Sequence, residues 1–285
     1  MGVAGGSLLA VVYAFVNHHD PLLYLNVLLV CGFAFSLGWI VSRGIHKFHI
    51  RNVPVAAVTG GLVFVAAYAV HWLVYVATVI VDWETNSPYD VTMILQVALA
   101  FLQDPQELPE VIQALNREGV WSMRTSSPMA VRGVLLSVLW LAEALVLCYY
   151  AVKKPMEEAG KPYSERCDKW MDAQDLPTPA AFIEDVEGFK NALERNDYSA
   201  LTTPPSPAVD VGGDNVKYAT VVLYPDPFDP CLSVRNVSVQ AKKKKRETST
   251  KNVVQYLKIS PTVARNISLA LGGSATPPGA YKGLL

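Results

Sequence analysis

The chain has 285 residues, of which 51% are hydrophobic and 17% are charged, and its formal net charge is −1. A near-neutral total identifies no partner by charge, and the four cysteines exclude a disulfide framework, because Cys31 and Cys148 lie in apolar stretches while Cys167 and Cys231 lie far apart in the sequence. The average also conceals two unlike halves. Residues 1–150 contain six Lys or Arg and nine Asp or Glu, whereas residues 151–285 contain 18 and 16.

Four apolar stretches lie in the first half, at residues 3–16, 22–41, 53–81 and 134–152. The third has no Asp, Glu, Lys or Arg and, at about 1.5 Å of rise per residue, more than crosses a hydrocarbon core of roughly 30 Å. The first would be only about 21 Å long as a helix, so it reaches across only with its flanking residues or in a thinned bilayer. We predict four transmembrane helices within residues 1–152; a re-entrant or interfacial segment is the alternative for the first.

Loop charges predict the orientation of these helices. The connection after the second stretch contains Arg43, Lys47 and Arg51 without an acid, and Lys153-Lys154 follows the fourth. Residues 82–130 instead carry seven acids against two arginines. Because basic loops remain in the cytoplasm, both chain ends are predicted to be cytoplasmic and residues 82–130 to form an outer loop.

Two helices are predicted within this outer loop. Residues 91–102 are apolar but too short to span, which is typical of a helix lying in the membrane interface. Residues 109–117 have the pattern of a short amphipathic helix that Gly119 would end. We interpret the loop as a cap over the transmembrane helices, with a ligand-binding lid as the alternative.

The sequence pattern of the second half, residues 153–285, predicts a small cytoplasmic α+β domain. Residues 153–211 read as a helical segment, capped at Thr178-Pro179, followed by a Pro-rich linker. Residues 212–272 form the predicted module, with strands at 218–224, 232–240 and 253–259 and a final helix starting at Ser260-Pro261. About 60 residues make a marginal domain unless it docks on the membrane half, the preceding helix or a partner. Residues 273–285 are predicted to be disordered.

Glu143 is the only acid within the four predicted spans, and an ionisable group inside a membrane is a functional candidate by default. Aligning the outer ends of the third and fourth spans places His71 about 13 Å deep and Glu143 about 18 Å deep, which is within side-chain reach. Tyr68, His71 and Tyr75 lie on one helical stripe. We therefore predict an intramembrane polar cluster of Glu143, His71, Tyr68 and Tyr75, which acts either as a clasp that fixes helix register or as a proton or cation relay.

Two further sets of residues are candidates for packing and lipid contact. Ala34, Gly38 and Ser42 recur every four residues and form a small-residue ridge that allows close helix packing, within this chain or between copies. The basic run Lys242, Lys243, Lys244, Lys245 and Arg246 is predicted to form a solvated loop between two strands that can contact anionic lipid.

Other chemistry is not expected from the sequence. We predict no nucleic-acid partner, because no aromatic residues are interleaved with the basic run. We also predict no metal site and no cofactor, because the paired histidines at 18–19 and at 46 and 49 lack the three or four local ligands that zinc requires. No arrangement of nucleophile, base and orienting group predicts a catalytic site.

Four short motifs carry a resemblance: Pro21-Leu-Leu-Tyr-Leu-Asn26, Arg51-Asn52, Gly119-Val-Trp121 and Cys167-x-x-Trp170. Together they resemble a loose group of uncharacterised multi-pass bacterial inner-membrane proteins, over residues 20–170. The group's usual second cysteine near Cys167 is absent here, and Ser164 lies in that neighbourhood. The resemblance implies a bacterial inner membrane and no activity.

The sequence favours a non-catalytic integral membrane protein, meaning a scaffold, accessory subunit or sensor, whose cytoplasmic module binds a protein partner, another copy of itself or the inner leaflet. A small transporter or channel subunit that uses Glu143 and His71 is the alternative.

Overall fold

The computed structural model describes residues 2–19, 23–85, 90–119, 121–123, 129–202, 215–242 and 245–272. The chain divides into two compact units, Met1–Gly160 and Lys161–Leu285. We call the first the helical unit and the second the sheet unit, and each is described by itself.

The helical unit contains six helices and one short hairpin among its described residues. The helices are α1 (Gly2–His18), α2 (Leu23–Lys47), α3 (Val53–Thr85), α4 (Val91–Gln103), α5 (Glu107–Glu118) and α6 (Val134–Ala159), and strands β1 (Trp121–Met123) and β2 (Met129–Val131) form an antiparallel pair. Within the described part of the chain, α2, α3 and α6 are long and apolar enough to cross a membrane, whereas α1 and α4 are shorter apolar helices. Three long apolar helices are compatible with a membrane protein, while a fourth full span is not established.

Helix α1 lies alongside α3 and runs in the same direction. Its first residue, Gly2, lies against Val63, and its last, His18, lies 3.4 Å from Asp82 through Nε2 and Oδ2. Val63 comes ten residues after the start of α3, so the beginning of α1 is displaced along the bundle by about 15 Å. Helix α1 therefore packs against the part of α3 from Val63 onward and leaves the first turns of α3 uncovered by it.

The predicted outer loop contains both expected helices. Helix α4 begins after Asp90, whose carboxylate accepts a hydrogen bond from the Met93 N–H, and α5 ends at Gly119, where φ is +90°. Phe101 and Leu115 are buried in one cluster with residues from the C-terminal parts of α1 and α3. Helices α4 and α5 therefore cover the end of the bundle at which α1 and α3 finish. The opposite side of α4 leaves Val91, Leu95, Leu99 and Leu102 exposed, as expected for a helix in contact with lipid.

The sheet unit is built on a four-stranded antiparallel sheet with strand order β5-β6-β7-β8. Its elements are β3 (Tyr163–Ser164), β4 (Lys169–Trp170), β5 (Gln174–Asp175), α7 (Val186–Glu194), α8 (Ser199–Thr202), β6 (Asn215–Tyr224), β7 (Cys231–Lys242), β8 (Lys245–Lys258) and α9 (Pro261–Ala270). In register, Val221 of β6 pairs with Val234 of β7 and Leu223 with Leu232. Ser260 caps α9 by accepting a hydrogen bond from the Val263 N–H, as the sequence predicts.

Apolar residues cover both faces of this sheet. On one face, Val221, Leu232 and Val234 pack with Phe189 of α7 and Ile267 of α9 in the main core of the unit. On the other face, Val222, Tyr224 and Cys231 pack with Met171, which follows the β3–β4 hairpin. Residues before the predicted module thus contribute to its core.

The structure corrects the predicted helix start at Thr178-Pro179. Helix α7 begins at Val186, after Asp185 accepts a hydrogen bond from the Gly188 N–H. The intervening chain is extended because the N–H and C=O groups of Ala180 pair with those of Ala219 in β6, at 2.8 and 2.9 Å. Pairing with a sheet edge satisfies the same backbone groups that a helix would use.

The domain boundaries also differ from the predicted ones. The first unit extends to Gly160 rather than ending at residue 152, because α6 continues to Ala159, with Lys154 and Glu157 paired at 3.3 Å. The segment at 161–202 belongs to the sheet unit rather than to a separate helical region. The predicted Pro-rich linker at 203–211 and disordered tail at 273–285 lie outside the described residues.

Candidate intramembrane site

Three polar side chains from three helices meet at the centre of the helical unit. The Tyr13 hydroxyl of α1 donates a hydrogen bond to Glu143 Oε1 of α6 at 2.9 Å, and His71 Nε2 of α3 lies 3.9 Å from the same oxygen. We call Tyr13, His71 and Glu143 the polar triad. Glu143 and His71 are therefore together, as the alignment of the spans predicts, but the closest hydrogen-bonding partner of Glu143 comes from α1.

Aromatic rings surround His71. The Tyr68 and Tyr75 rings, one turn before and one turn after it on α3, have centroids 6.1 and 5.8 Å from the imidazole, and the Tyr13 ring lies at 4.8 Å. Neither Tyr68 nor Tyr75 hydrogen-bonds to Glu143. The Nδ1 atom of His71 is buried without a hydrogen-bond partner in the part of the chain that the structure describes. Tyr68 and Tyr75 thus lie beside the imidazole of the predicted cluster, while Tyr13 supplies the hydrogen bond to Glu143.

Between the polar triad and the N-terminal end of α3, the interior of the bundle consists of apolar side chains. Leu37, Ala67, Leu147 and Ala151 are all buried, with exposures of 0–1%, and belong to one cluster with Val63. An apolar layer of this kind opposes the passage of a proton or a cation because its aliphatic side chains cannot solvate the charge.

Toward the other end of the bundle, polar groups continue beyond the triad. The His18 ring lies 6.4 Å from that of Tyr75, and His18 pairs with Asp82 at 3.4 Å. On the α2 side, Asn26 Nδ2 donates a hydrogen bond to Asn17 Oδ1 at 2.5 Å, and both residues are buried. The interior is therefore polar on one side of the triad and apolar on the other.

A cleft of about 150 Å³ between α2 and α6 reaches Glu143. Asn26 and Glu143 are its polar lining residues, and Val30, Cys31 and Leu139 are among its apolar walls. Cys31 is exposed on the outside of the helical unit. The carboxyl group of Glu143 thus lies between two environments, the polar triad inside the bundle and the cleft at its surface.

The small-residue ridge of α2 packs within this chain. A Cβ atom on Gly38 would lie 2.7 Å from the Tyr150 carbonyl oxygen of α6, and Ala34 is fully buried. The Ser42 Oγ is buried without a hydrogen-bond partner among the described residues. A second close approach, between Gly60 of α3 and Ala151 of α6, was not predicted. Its signal in the sequence is Gly60-Gly61 within a continuous apolar run, which does not show which glycine faces a neighbour.

The remaining predictions concern the basic run at 242–246, the paired histidines and metal binding. Lys242 ends β7 and pairs with Lys245, which begins β8 with Arg246, so these three residues lie in strands rather than in the predicted loop, while Lys243 and Lys244 lie outside the described residues. His46 contacts Glu158 at 2.8 Å. Within the described ranges, no group of three or more His, Cys, Asp and Glu side chains is arranged to hold a metal ion.

The sheet unit has a cleft of its own, of about 280 Å³. One face of α9, with Ala264, Arg265 and Ser268, forms one side, and Leu223 with the loop at 225–230 forms the other. Asp226 shapes this loop, because its Oδ1 accepts hydrogen bonds from the Phe228 and Asp229 N–H groups, both at 2.8 Å. Arg265 is exposed and has no ion pair with another described residue.

Burial by itself would raise the pKa of Asp226. The polar approach of Ser164, the N–H groups of Asp229 and Phe228, and Cys167 outweigh burial and hold that pKa below its ordinary value. The Oδ2 atom of Asp226 is buried and has no hydrogen-bond partner among the described residues. Asp226 is therefore ionised at neutral pH and links its loop to the β3–β4 hairpin.

These observations define a class: a largely helical protein with three long apolar helices, compatible with a membrane protein, and a separate unit that contains a sheet. No protein-family model, curated protein or solved structure matches the chain. The resemblance to bacterial inner-membrane proteins therefore remains a prediction.

Proposed function

We propose that this chain is a non-catalytic integral membrane protein, a scaffold, accessory subunit or sensor, in which the helical unit is the anchor and the sheet unit binds a partner. The observation that carries this proposal is the apolar layer of Leu37, Ala67, Leu147 and Ala151 on one side of the polar triad. A carrier needs access to its site from both sides, whereas a structural clasp needs only its own hydrogen bonds. The triad joins α1, α3 and α6, which suits a clasp that fixes their register.

The setting that we propose is the bacterial inner membrane, with four spans and both chain ends in the cytoplasm. Loop charge supports the orientation, since Arg43, Lys47 and Arg51 lie at one end of the bundle. Helix α1 would be the fourth span, with local thinning of the bilayer compensating for its length of about 25 Å. The run Lys242–Arg246, of which Lys242, Lys245 and Arg246 lie at the paired ends of β7 and β8, would then contact anionic lipid of the inner leaflet.

The cleft beside Arg265 is where we propose that the sheet unit binds its protein partner or a second copy. Its lining combines apolar residues with the exposed Arg265 cation and the buried Asp226 carboxylate, so Arg265 is the group that an acidic residue of the partner would contact, beside apolar ones. This can be tested with a photo-crosslinking amino acid placed at Arg265 in the full-length protein in native membranes. The matched control is Asn266, which is exposed on the same helix and does not line the cleft.

We expect a discrete crosslinked species from position 265 and none from position 266. Equal crosslinking from both positions, or none from either, would contradict binding at this cleft.

The anchoring role is tested by reconstituting the protein in liposomes that contain a pH-sensitive dye and imposing a membrane potential. We expect the wild-type protein and Glu143→Gln to leave the proton leak of empty liposomes unchanged. A leak that appears with the wild type and disappears with Glu143→Gln, at the same melting temperature, would replace the clasp with a relay.

A small transporter or channel subunit is the second candidate, and the polar groups toward the outer end favour it. Tyr75 and the His18–Asp82 pair connect the triad to that end of the bundle. Such a relay would require the apolar layer around Leu147 to open in another conformation. The liposome experiment distinguishes the two candidates.

A further inference from the structure

At the cleft between α2 and α6, one of the two oxygens of the Glu143 carboxylate has no hydrogen-bond partner among the described residues. Both contacts within the triad are made to Oε1. The other oxygen, Oε2, receives no hydrogen bond from the described residues, and it is not among the polar atoms that are sealed from the exterior. Because Glu143 lines the cleft, Oε2 is the acceptor that remains for a molecule entering from outside.

The surroundings of this acceptor determine the kind of molecule that fits. Glu143 is the tenth residue of α6, about 14 Å along the helix from Val134. The walls of the cleft are apolar, and its neighbours Val27, Leu28, Leu141 and Leu145 expose 53–68% of their surface outside the bundle. A ligand therefore needs an apolar chain that remains in the hydrocarbon and a small polar end that reaches the carboxylate.

The charge of the polar end follows from the cost of burying an acid. A cationic partner strongly stabilises a carboxylate in a water-poor site. Among the residues that the structure describes, no lysine or arginine lines this cleft. A phosphate-bearing headgroup is disfavoured because its negative charge would be repelled by the Glu143 carboxylate, which lines the cleft. A primary ammonium group is small, donates hydrogen bonds and carries the complementary charge.

We propose that the α2–α6 cleft binds long-chain primary amines, with the ammonium group on Glu143 Oε2 and the alkyl chain along Val27, Val30 and Leu139. This site is additional to the anchoring role and does not depend on the partner of the sheet unit. The Tyr13 bond to Oε1 holds the carboxyl group in place while Oε2 receives the ligand.

The experiment uses the full-length protein in phosphatidylcholine nanodiscs and a dodecylamine derivative with a diazirine beside the amine. Irradiation followed by peptide mass spectrometry should concentrate the label on residues 26–31 and 139–146. An excess of dodecylamine should reduce this labelling at least tenfold, whereas dodecanol at the same concentration should not.

Two variants locate the binding. Glu143→Gln keeps the acceptor for Tyr13 but loses the charge, and should reduce the labelling about tenfold. Ala142→Leu fills the mouth of the cleft from an exposed position, leaves the carboxyl group in place, and should reduce labelling at an unchanged melting temperature. Glu84→Gln, an exposed acid elsewhere on the unit, is the control and should label like the wild type.

Labelling spread evenly over the lipid-facing residues would overturn the proposal. Equal competition by dodecanol, or wild-type labelling of both Glu143→Gln and Ala142→Leu, would overturn it as well. None of these three results would bear on the liposome experiment, which tests the anchoring role separately.

Discussion

Gly60 of α3 faces the backbone of Ala151 in α6 so closely that a Cβ atom on Gly60 would lie 2.1 Å from the Ala151 carbonyl oxygen. Gly38 of α2 approaches the neighbouring Tyr150 carbonyl in the same way, at 2.7 Å. Helix α6 is thus clamped between two glycines at adjacent levels. Since apolar side chains gain little from leaving lipid, such close backbone contact is a main source of association between helices in a membrane.

We therefore expect Gly60→Ala to destabilise the helical unit by about 1–3 kcal/mol, because the methyl group must displace the backbone of α6. The measurement is the melting temperature of the full-length protein in mild detergent. Gly61→Ala is the matched control, since no atom lies within 4 Å of its added Cβ. Equal melting temperatures for the two variants would mean that α3 and α6 are not in close contact there.

The second prediction concerns the bond between Tyr13 and Glu143. Tyr13→Phe and Glu143→Leu should each lower the melting temperature in detergent, and the double variant should lose less than the sum of the two. The coupling energy should be about 1 kcal/mol, a usual value for a hydrogen bond between membrane helices. Glu143→Gln should stay close to the wild type, because its side-chain oxygen can still accept from Tyr13. Strict additivity would show that the two side chains do not interact.

The third prediction concerns Asn236 of β7, whose side chain holds the segment before α7. Its Nδ2 donates to the Ile183 carbonyl at 2.7 Å, and its Oδ1 accepts from the Ile183 N–H at 3.1 Å. Asn236→Ala leaves both backbone groups without these partners and should destabilise the sheet unit by about 1–3 kcal/mol. Denaturant unfolding followed by tryptophan fluorescence measures the effect. Ser238→Ala, two residues along the same strand, should have little effect.

The fourth prediction is a pH dependence that originates at Asp226. Its pKa is lower in the folded protein than in the unfolded chain, so ionised Asp226 stabilises the fold above the unfolded-state pKa. This stabilisation should disappear as the pH falls through the folded-state pKa. The melting temperature of Asp226→Asn should therefore be lower than that of the wild type at pH 7, and the two should converge below about pH 4. A constant difference between them at every pH would contradict this assignment.

The fifth prediction tests the orientation of the helices. Reporter fusions after Lys154 and within residues 42–52 should report the cytoplasm, and a fusion near Pro105 should report the outside, as basic loops require. The pair at Lys154 and Pro105 serves as an internal control because α6 separates the two positions in sequence. A cytoplasmic signal at Pro105 would reverse the orientation of the whole bundle.

Some features could be predicted from the sequence because they depend on local chemistry. The long apolar runs predict α2, α3 and α6, since any such run of helix must be shielded from water. Ser260 followed by Pro261 predicts the start of α9, because a cap and a fixed φ act within one turn. The approach of His71 and Glu143 could be expected from depth alone, since both lie near the middle of adjacent spans.

Other features were decided only by the tertiary structure. Tyr13 lies in the weakest apolar stretch, and its bond to Glu143 depends on where α1 settles beside α3, which no local pattern specifies. Thr178-Pro179 carries a good helix-start pattern, yet Ala180 pairs with Ala219, because a sheet edge can satisfy backbone groups that a short helix would otherwise pair. Local patterns determine which segments are apolar or capped, whereas contacts between distant segments determine which of those possibilities the folded chain adopts.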